Sequence, residues 1–228
     1  MLNNGTIDGV VVAIAEETQS LKEYKHFKDI MNSGTPIVMF DRVADGINCD
    51  KVVVDDFDSA YDATSHLIKL GSEKIALLST IQNLSVGKLR LDGYKKALSD
   101  ANLSIDENLI ILETSIEDFD LKLQDLISSK KMDAVFALDE HSSTMTMRMA
   151  LKQGIKIPEE LNIIGFADGV WSRRLTPSLS TVSQHAPEIG AKAAELLIHK
   201  LNSKDEFYQP QTVVIKTELR QRESTRKL

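Results

Sequence analysis

The sequence has few cysteines, few aromatic residues and a shortage of positive charge. A single cysteine, Cys49, cannot form an intramolecular disulfide, which excludes a disulfide-stapled scaffold. Acidic residues number 34 against 27 basic ones, so the formal net charge is −7. DNA affinity comes largely from Lys and Arg neutralising phosphates, so this chain by itself is expected to bind nucleic acid poorly.

Long apolar runs are also missing, and none approaches the roughly 20 residues that span a bilayer. We therefore expect no membrane partner. The start "MLNNGTIDG" lacks the basic and then apolar pattern of a secretion signal, which predicts a cytoplasmic location.

The motifs of common catalytic and cofactor sites are absent as well. No G-x-G-x-x-G, G-x-x-x-x-G-K-[ST] or G-x-S-x-G follows an apolar run. The five histidines never fall at close metal-ligand spacing with Cys or Glu. The sequence predicts no enzyme activity, no cofactor and no metal site.

What the sequence does contain is a series of short apolar runs rich in β-branched residues, separated by segments of helical periodicity. Continuous apolar runs of this kind are typical of parallel strands covered on both faces. The pattern predicts an α/β protein with doubly wound parallel sheets. The runs are residues 9–14, 36–40, 51–55, 74–79, 109–113, 133–138, 161–166 and 212–216, and the clearest helical segments are 57–70, 118–129 and the stretch after Pro187.

A helix predicted over residues 141–153 spreads methionines over more than one face, among them Met145, Met147 and Met149. Covering a sheet does not account for all of them. Either the helix is buried in the core, or its outer side meets a second subunit, where adaptable Met side chains are common.

Several carboxylates follow strand-like runs, namely Asp41, Asp139 and Asp168. In open α/β sheets the carboxyl edge is where ligands bind. Arg90 could supply a complementary forked donor for a polyhydroxylated or heterocyclic ligand. The competing interpretation makes such carboxylates helix caps and Arg90 a surface ion pair.

Five stretches, in order, resemble the effector-binding domain of the lactose-repressor (LacI/GalR) family of bacterial transcription regulators. That family shares the type I periplasmic-binding-protein fold. The stretches are "GTPIVMFDR" (34–42), "VVVDDFDSAYDATSHLIKLGSEKIALLS" (52–79), "RLDGYKKAL" (90–98), "DAVFALDE" with "ALKQGIKIPEELNIIGF" (133–140 and 150–166) and "TPSLSTVSQ" (176–184).

The resemblance implies two lobes around an effector cleft, joined by three crossovers. The amino lobe would hold residues 1–72 and 186–208, and the carboxyl lobe 73–185 and 209–228. The family's effector-binding positions fall here on Asp41, Ser85, Lys88, Arg90, Thr114, Ser115, Asp139, Ala167 and Asp168. Ser85 and Lys88 would lie in a loop that precedes Arg90.

The resemblance also implies a homodimer through the carboxyl lobe, which favours the interface interpretation of the Met-rich helix. Family dimers would meet at positions corresponding to Met145, Met149, Trp171, Arg174 and Leu175. The segment 177–184 would form the third crossover.

Two departures from the family pattern limit what can be transferred. Ala167 replaces a frequent ligand aspartate, with Asp168 next to it, and Glu140 replaces the usual Asp at the head of the Met-rich helix. The family's helix-turn-helix and first two strand and helix pairs are absent from this chain, so we expect an incomplete amino lobe with residues 9–14 at an edge or paired with another chain.

The leading hypothesis is the effector-sensing domain of a transcription regulator, with a sugar, sugar phosphate or purine as effector. Operator DNA would be a partner only through an amino-terminal domain that this chain lacks. A periplasmic-type sugar-binding protein of a transport system is the alternative, and an enzyme acting on a small sugar or nucleotide is a third possibility.

Overall fold

The structure is a computed structural model, and it describes residues 7–166, 169–203 and 208–227. The described residues form two compact units, and each is treated by itself. The first comprises the described parts of 1–55 and 185–216, and the second those of 56–184 and 217–228.

The first unit contains a four-stranded parallel sheet. Its strands are β1 (Val10–Val12), β2 (Ile37–Phe40), β3 (Asp50–Val54) and β9 (Thr212–Ile215), in the spatial order β1-β2-β3-β9. Its helices are α1 (Glu16–Leu21), α2 (Lys25–Asn32) and α8 (Ala186–Asn202). Among the described residues β1 pairs only with β2, so the predicted edge position of residues 9–14 is observed.

The second unit contains a six-stranded sheet in the order β10-β8-β7-β6-β4-β5, in which only β10 is antiparallel. The strands are β4 (Ile75–Ser79), β5 (Ile110–Leu112), β6 (Ala134–Ala137), β7 (Asn162–Gly165), β8 (Ser180–Ser183) and β10 (Glu218–Arg220). The helices are α3 (Asp56–Lys69), α4 (Ser85–Asp100), α5 (Ile116–Ser129), α6 (Glu140–Lys152) and α7 (Val170–Arg174), with a short 3-10 turn at Glu107–Leu109.

Helices cover both faces of this sheet, and the strand residues alternate between them as the period of two requires. Leu78 of β4 packs with Phe119 and Ile127 of α5, whereas its neighbour Leu77 packs on the other face with residues of α3 and α4 such as Leu67. All five side chains are fully buried. Continuous apolar strands are thus explained by burial on both faces.

The predicted fold class is confirmed, and each of the eight apolar runs contains a strand. The predicted lobe boundaries differ from the observed unit boundaries. Residues 56–72 were assigned to the amino lobe, but α3 packs in the second unit against α4. Residues 209–216 were assigned to the carboxyl lobe, but β9 pairs with β3 and therefore belongs to the first unit.

Two strands of the second unit were not predicted as strands. The resemblance makes the segment 177–184 a crossover, yet residues 180–183 form β8, which pairs with β7 and with β10. β10 has the short sequence "ELR", whose one apolar residue, Leu219, packs partly against the core. It is held by its backbone pairing with β8, and pairing of this kind leaves no trace in the composition.

Candidate functional site

Arg90 is the central side chain of the candidate site, and it is 3% exposed. Its Nε donates to Oδ1 of Asp56 at 2.7 Å, and its Nη1 donates to the carbonyl oxygen of Leu138 at 2.8 Å. The guanidinium carbon lies 3.4 Å from the centroid of the Phe166 ring. Leu138 follows β6 and Phe166 follows β7, so Arg90 lies at the carboxyl edge of the sheet.

The close approach of α3 and α4 brings Asp56 and Arg90 together. Gly93 lies one helical turn after Arg90, and a β-carbon at this position would lie 2.3 Å from the carbonyl oxygen of Phe57. Only glycine allows the helices this contact. The R-x-x-G pattern therefore has a local cause: Gly93 sets the helix spacing that places Arg90 beside the start of α3.

Asp139 lies at the same edge, where it caps α6. Its Oδ1 accepts from the Ser142 N–H at 2.8 Å, and its Oδ2 accepts from the Thr80 N–H at 2.8 Å. The Ser142 hydroxyl lies 3.3 Å from the Asp139 N–H and completes a capping box. Asp139 thus joins the loop after β4 to the start of α6, as the helix-cap interpretation expects.

Ser85 and Lys88 do not lie in a loop, contrary to the prediction. Ser85 is the first residue of α4, and Lys88 is exposed in its first turns. The helix begins this early because Gly87 lets it pack against the preceding turn: a β-carbon there would lie 2.2 Å from the Ile81 carbonyl oxygen. The loop is therefore shorter than the sequence suggests.

Two further predicted positions of the second unit, Thr114 and Ser115, lie after β5. Thr114 is exposed, and Ser115 caps α5 by accepting from the Asp118 N–H at 3.3 Å. Ala167 and Asp168 lie outside the described residues. The geometry thus joins Arg90 to the loop that carries Asp139, through Leu138, and assigns no contact to Thr114 with Arg90.

Two residues in contact with Arg90 were not predicted as part of the site. Asp56 follows the apolar run 51–55 directly, and Phe166 ends the apolar run 161–166. The acidic residue after a strand was a usable signal for Asp56. The position of Phe166 under the guanidinium depends on the tertiary fold and has no sequence signal.

Asp41 belongs to the first unit, at the carboxyl end of β2. Its backbone is in the left-handed region, with φ of 55°, which is uncommon for a residue with a β-carbon and is found often at functional sites. Its Oδ2 lies 3.8 Å from Nε of Arg42, a buried atom without a hydrogen-bond partner among the described residues. The left-handed backbone of Asp41 and the buried Nε of Arg42 thus lie side by side at the carboxyl end of β2.

The residues predicted at a dimer interface occupy α6, α7 and the residue after α7. Met145 and Met149 are partly buried and line a groove of about 710 Å³ between α5 and α6, whereas Met147 is fully buried in the core. The core interpretation therefore describes Met147, and the interface interpretation of Met145 and Met149 stays a prediction. Trp171 is 62% exposed.

Arg174 is exposed in the last turn of α7, and Leu175 packs partly against the core of the second unit. These two positions thus differ in environment.

In the described part of the chain no cluster of His, Cys, Asp and Glu could hold a metal ion, and no helix has the length and apolar character to cross a membrane.

Residues 64–225 match the family described as the periplasmic binding protein-like domain. The chain belongs to this family. It is similar to the transcriptional repressor PurR of Haemophilus influenzae, with 31% identity over 92% of this chain and 61% of the relative. It is also similar to the transcriptional regulator DegA of Bacillus subtilis, with 30% identity over 84% of this chain and 57% of the relative.

Solved structures of LacI family regulators have a similar fold. A LacI family transcriptional regulator from Enterococcus faecium, with bound ribose, superimposes with a TM-score of 0.83 at 25% identity, covering 97% of this chain and 80% of that one. A regulatory protein of the LacI family from Chloroflexus aggregans shares the fold, with a TM-score of 0.84, 24% identity and coverage of 98% and 79%. The resemblance to LacI-type regulators is confirmed. The chain spans about three fifths of the length of the curated relatives it matches.

Proposed function

We propose that the chain is the effector-sensing part of a LacI-type transcription regulator. The observation that carries this proposal is the buried Arg90, fixed by Asp56 and Phe166 at the carboxyl edge of a parallel sheet. Such an edge is the usual ligand position in this class of fold. The curated relatives are repressors and regulators rather than transport proteins or enzymes, which favours regulation over the alternatives.

The effector would be a small molecule with hydroxyl, carbonyl or ring-nitrogen acceptors, such as a sugar or a purine. Arg90 would donate to it, and the Phe166 ring would hold the guanidinium in place. Asp41, Ser85, Lys88, Thr114, Ser115, Asp139, Ala167 and Asp168 stay predictions as further contacts. Asp139 would act mainly by keeping the loop after β4 against α6.

Regulation would follow from thermodynamic coupling between effector binding and DNA binding. An effector shifts a conformational equilibrium only by its difference in affinity between the two states. Operator DNA, bound through a DNA-binding domain of the regulator, must then change effector affinity by the same factor. We propose that the signal passes through a homodimer in the cytoplasm.

A ligand screen tests the effector proposal. Ribose, cellobiose, glucose 6-phosphate and hypoxanthine are added to the chain, and thermal unfolding is measured. A true effector at a hundredfold excess over Kd adds about 2.7 kcal/mol of stability. Arg90→Lys keeps the charge but loses the fork, so it is expected to lose most of this gain.

Arg173→Lys is the matched control, because Arg173 is exposed on α7. Its gain on adding ligand should equal that of the unaltered chain. An equal gain in Arg90→Lys would contradict the assigned site, and steady consumption of a bound sugar would contradict the regulator proposal.

Sedimentation velocity tests the dimer. Trp171→Arg should weaken self-association at least about tenfold, since burying an unpaired charge at an interface costs more than 1.4 kcal/mol. Ile198→Arg is the control, as Ile198 is 58% exposed on α8. If both variants associate like the unaltered chain, Trp171 is not at the interface.

A further inference from the structure

The ion pair between Asp56 and Arg90 has a consequence for ligand choice. Both residues are 3% exposed, and the Nε to Oδ1 distance is 2.7 Å. A buried carboxylate this close cancels the charge of the guanidinium. The candidate site therefore offers a donor without offering a net positive charge.

The hydrogen bonds of Arg90 within the protein leave three of its five N–H groups for a ligand. Phosphates and carboxylates usually receive two parallel N–H bonds from one guanidinium. Here Nε donates to Asp56 and Nη1 donates to the Leu138 carbonyl oxygen, and Nη2 is the nitrogen without an acceptor among the described residues. A bidentate bond that includes Nε would break the contact with Asp56, but Nη1 keeps a second N–H and Nη2 keeps two, so the choice between an anion and a neutral acceptor rests on charge.

The Asp56 carboxylate also repels an anionic ligand directly. A phosphate at Nη2 would lie within a few ångströms of a carboxylate that solvent reaches poorly, where screening is weak. In the described part of the second unit, the other cation among the predicted ligand positions is Lys88, which is exposed and hydrated. A neutral acceptor, such as a sugar hydroxyl or a purine carbonyl, meets no such repulsion.

We propose that Asp56 is a specificity-determining residue that restricts the Arg90 site to neutral effectors and rejects phosphorylated ones. The proposal rests on the proposed function, since it takes Arg90 to be the effector donor. It excludes sugar phosphates from the effectors that the family resemblance allows and retains neutral sugars and purines. Asp56 would act through Arg90, so it is a positioning residue for the ligand.

Asp56→Asn tests the proposal, because the side chain keeps its shape and an oxygen that accepts from Nε while the negative charge is removed. Asp58→Asn is the matched control: Asp58 lies in the same first turn of α3 and is exposed. The probes are inorganic phosphate, ribose and ribose 5-phosphate, each with sodium chloride matched for ionic strength. Isothermal titration and thermal unfolding are the readouts.

For the unaltered chain and Asp58→Asn, we expect no stabilisation by phosphate beyond that of matched chloride. Any sugar that binds should bind at least about tenfold more tightly than its phosphorylated form. In Asp56→Asn, phosphate should raise the unfolding temperature, and the preference for the neutral sugar should shrink at least about tenfold.

Tighter binding of ribose 5-phosphate than ribose by the unaltered chain would overturn the proposal, and this comparison does not depend on the folding of any variant. Stabilisation of the unaltered chain by phosphate that disappears in Arg90→Lys would also overturn it. If no sugar or purine binds at all, the proposed function fails, whereas a phosphate response confined to Asp56→Asn would still support the charge-cancelling role of Asp56.

Discussion

A methyl group added at position 93 is expected to push α4 away from α3. The β-carbon of Gly93→Ala would lie 2.3 Å from the Phe57 carbonyl oxygen and 3.0 Å from the Tyr61 nitrogen. Both are backbone atoms, which cannot rotate away as a side chain can. Overpacking of this kind costs about 1–3 kcal/mol, and we take the upper end. Alanine has a helix propensity about 1 kcal/mol more favourable than that of glycine, so the net loss in the free energy of unfolding should be about 2 kcal/mol.

Gly190→Ala is the matched control, because Gly190 lies inside α8 and its added β-carbon would meet no atom within 4 Å. This variant should gain about 0.5–1 kcal/mol. Urea unfolding of both variants should therefore differ by about 3 kcal/mol. Equal stabilities for the two alanine variants would refute the claim that Gly93 sets the spacing of α3 and α4.

Two further predictions concern groups near the ends of the second-unit strands. Asp139→Ala removes two hydrogen bonds from backbone N–H groups and should lower the free energy of unfolding in urea by about 2 kcal/mol. Ser115→Ala removes a single, longer cap bond and should lower it by about 0.5 kcal/mol. Equal losses would argue against the role of Asp139 in joining the loop after β4 to α6. Burial raises the pKa of Tyr94, whose hydroxyl donates to the Ile75 carbonyl oxygen at 2.7 Å. The stability contributed by the neutral phenol is present below the unfolded pKa of about 10 and is lost above it, at up to about 1.4 kcal/mol per pH unit. Unfolding measured between about pH 9 and pH 11 should show this slope in the unaltered chain and a smaller one in Tyr94→Phe, and identical slopes would refute the assignment.

The strands that are buried on both faces were predictable, because their burial forces a continuous apolar run. Val135 and Phe136 of β6 point to opposite faces and are both fully buried. β10 was not predictable, since Leu219 is its only apolar residue and three residues are too few for an alternating pattern to indicate a strand. The predicted boundaries between the lobes differ from the observed unit boundaries for a similar reason. The pairing of β9 with β3 joins residues that are far apart in the sequence, and the local sequence pattern does not encode it.

The candidate site was predictable in its position but only in part in its contacts. A carboxylate after an apolar run marks the carboxyl edge, and Asp139 lies there. The sequence does not distinguish a cap from a ligand, because both uses favour the same residue at the same place. The partners of Arg90 come from three separate segments, represented by Asp56, Leu138 and Phe166, and only folding brings them together.

One of the three boundaries between the two units lies at the peptide bond that joins Asp55 to Asp56. Asp55 pairs with Lys216 at 3.1 Å, and Lys216 is itself the last residue of the first unit before the chain returns to the second. Asp56 pairs with Arg90. The ends of two chain segments of the first unit are thus joined by the ion pair of Asp55 with Lys216, and the next residue after Asp55 fixes Arg90 in the second unit. The acidic pair at 55–56 is therefore divided, because each of its two carboxylates makes its ion pair within a different unit of the chain.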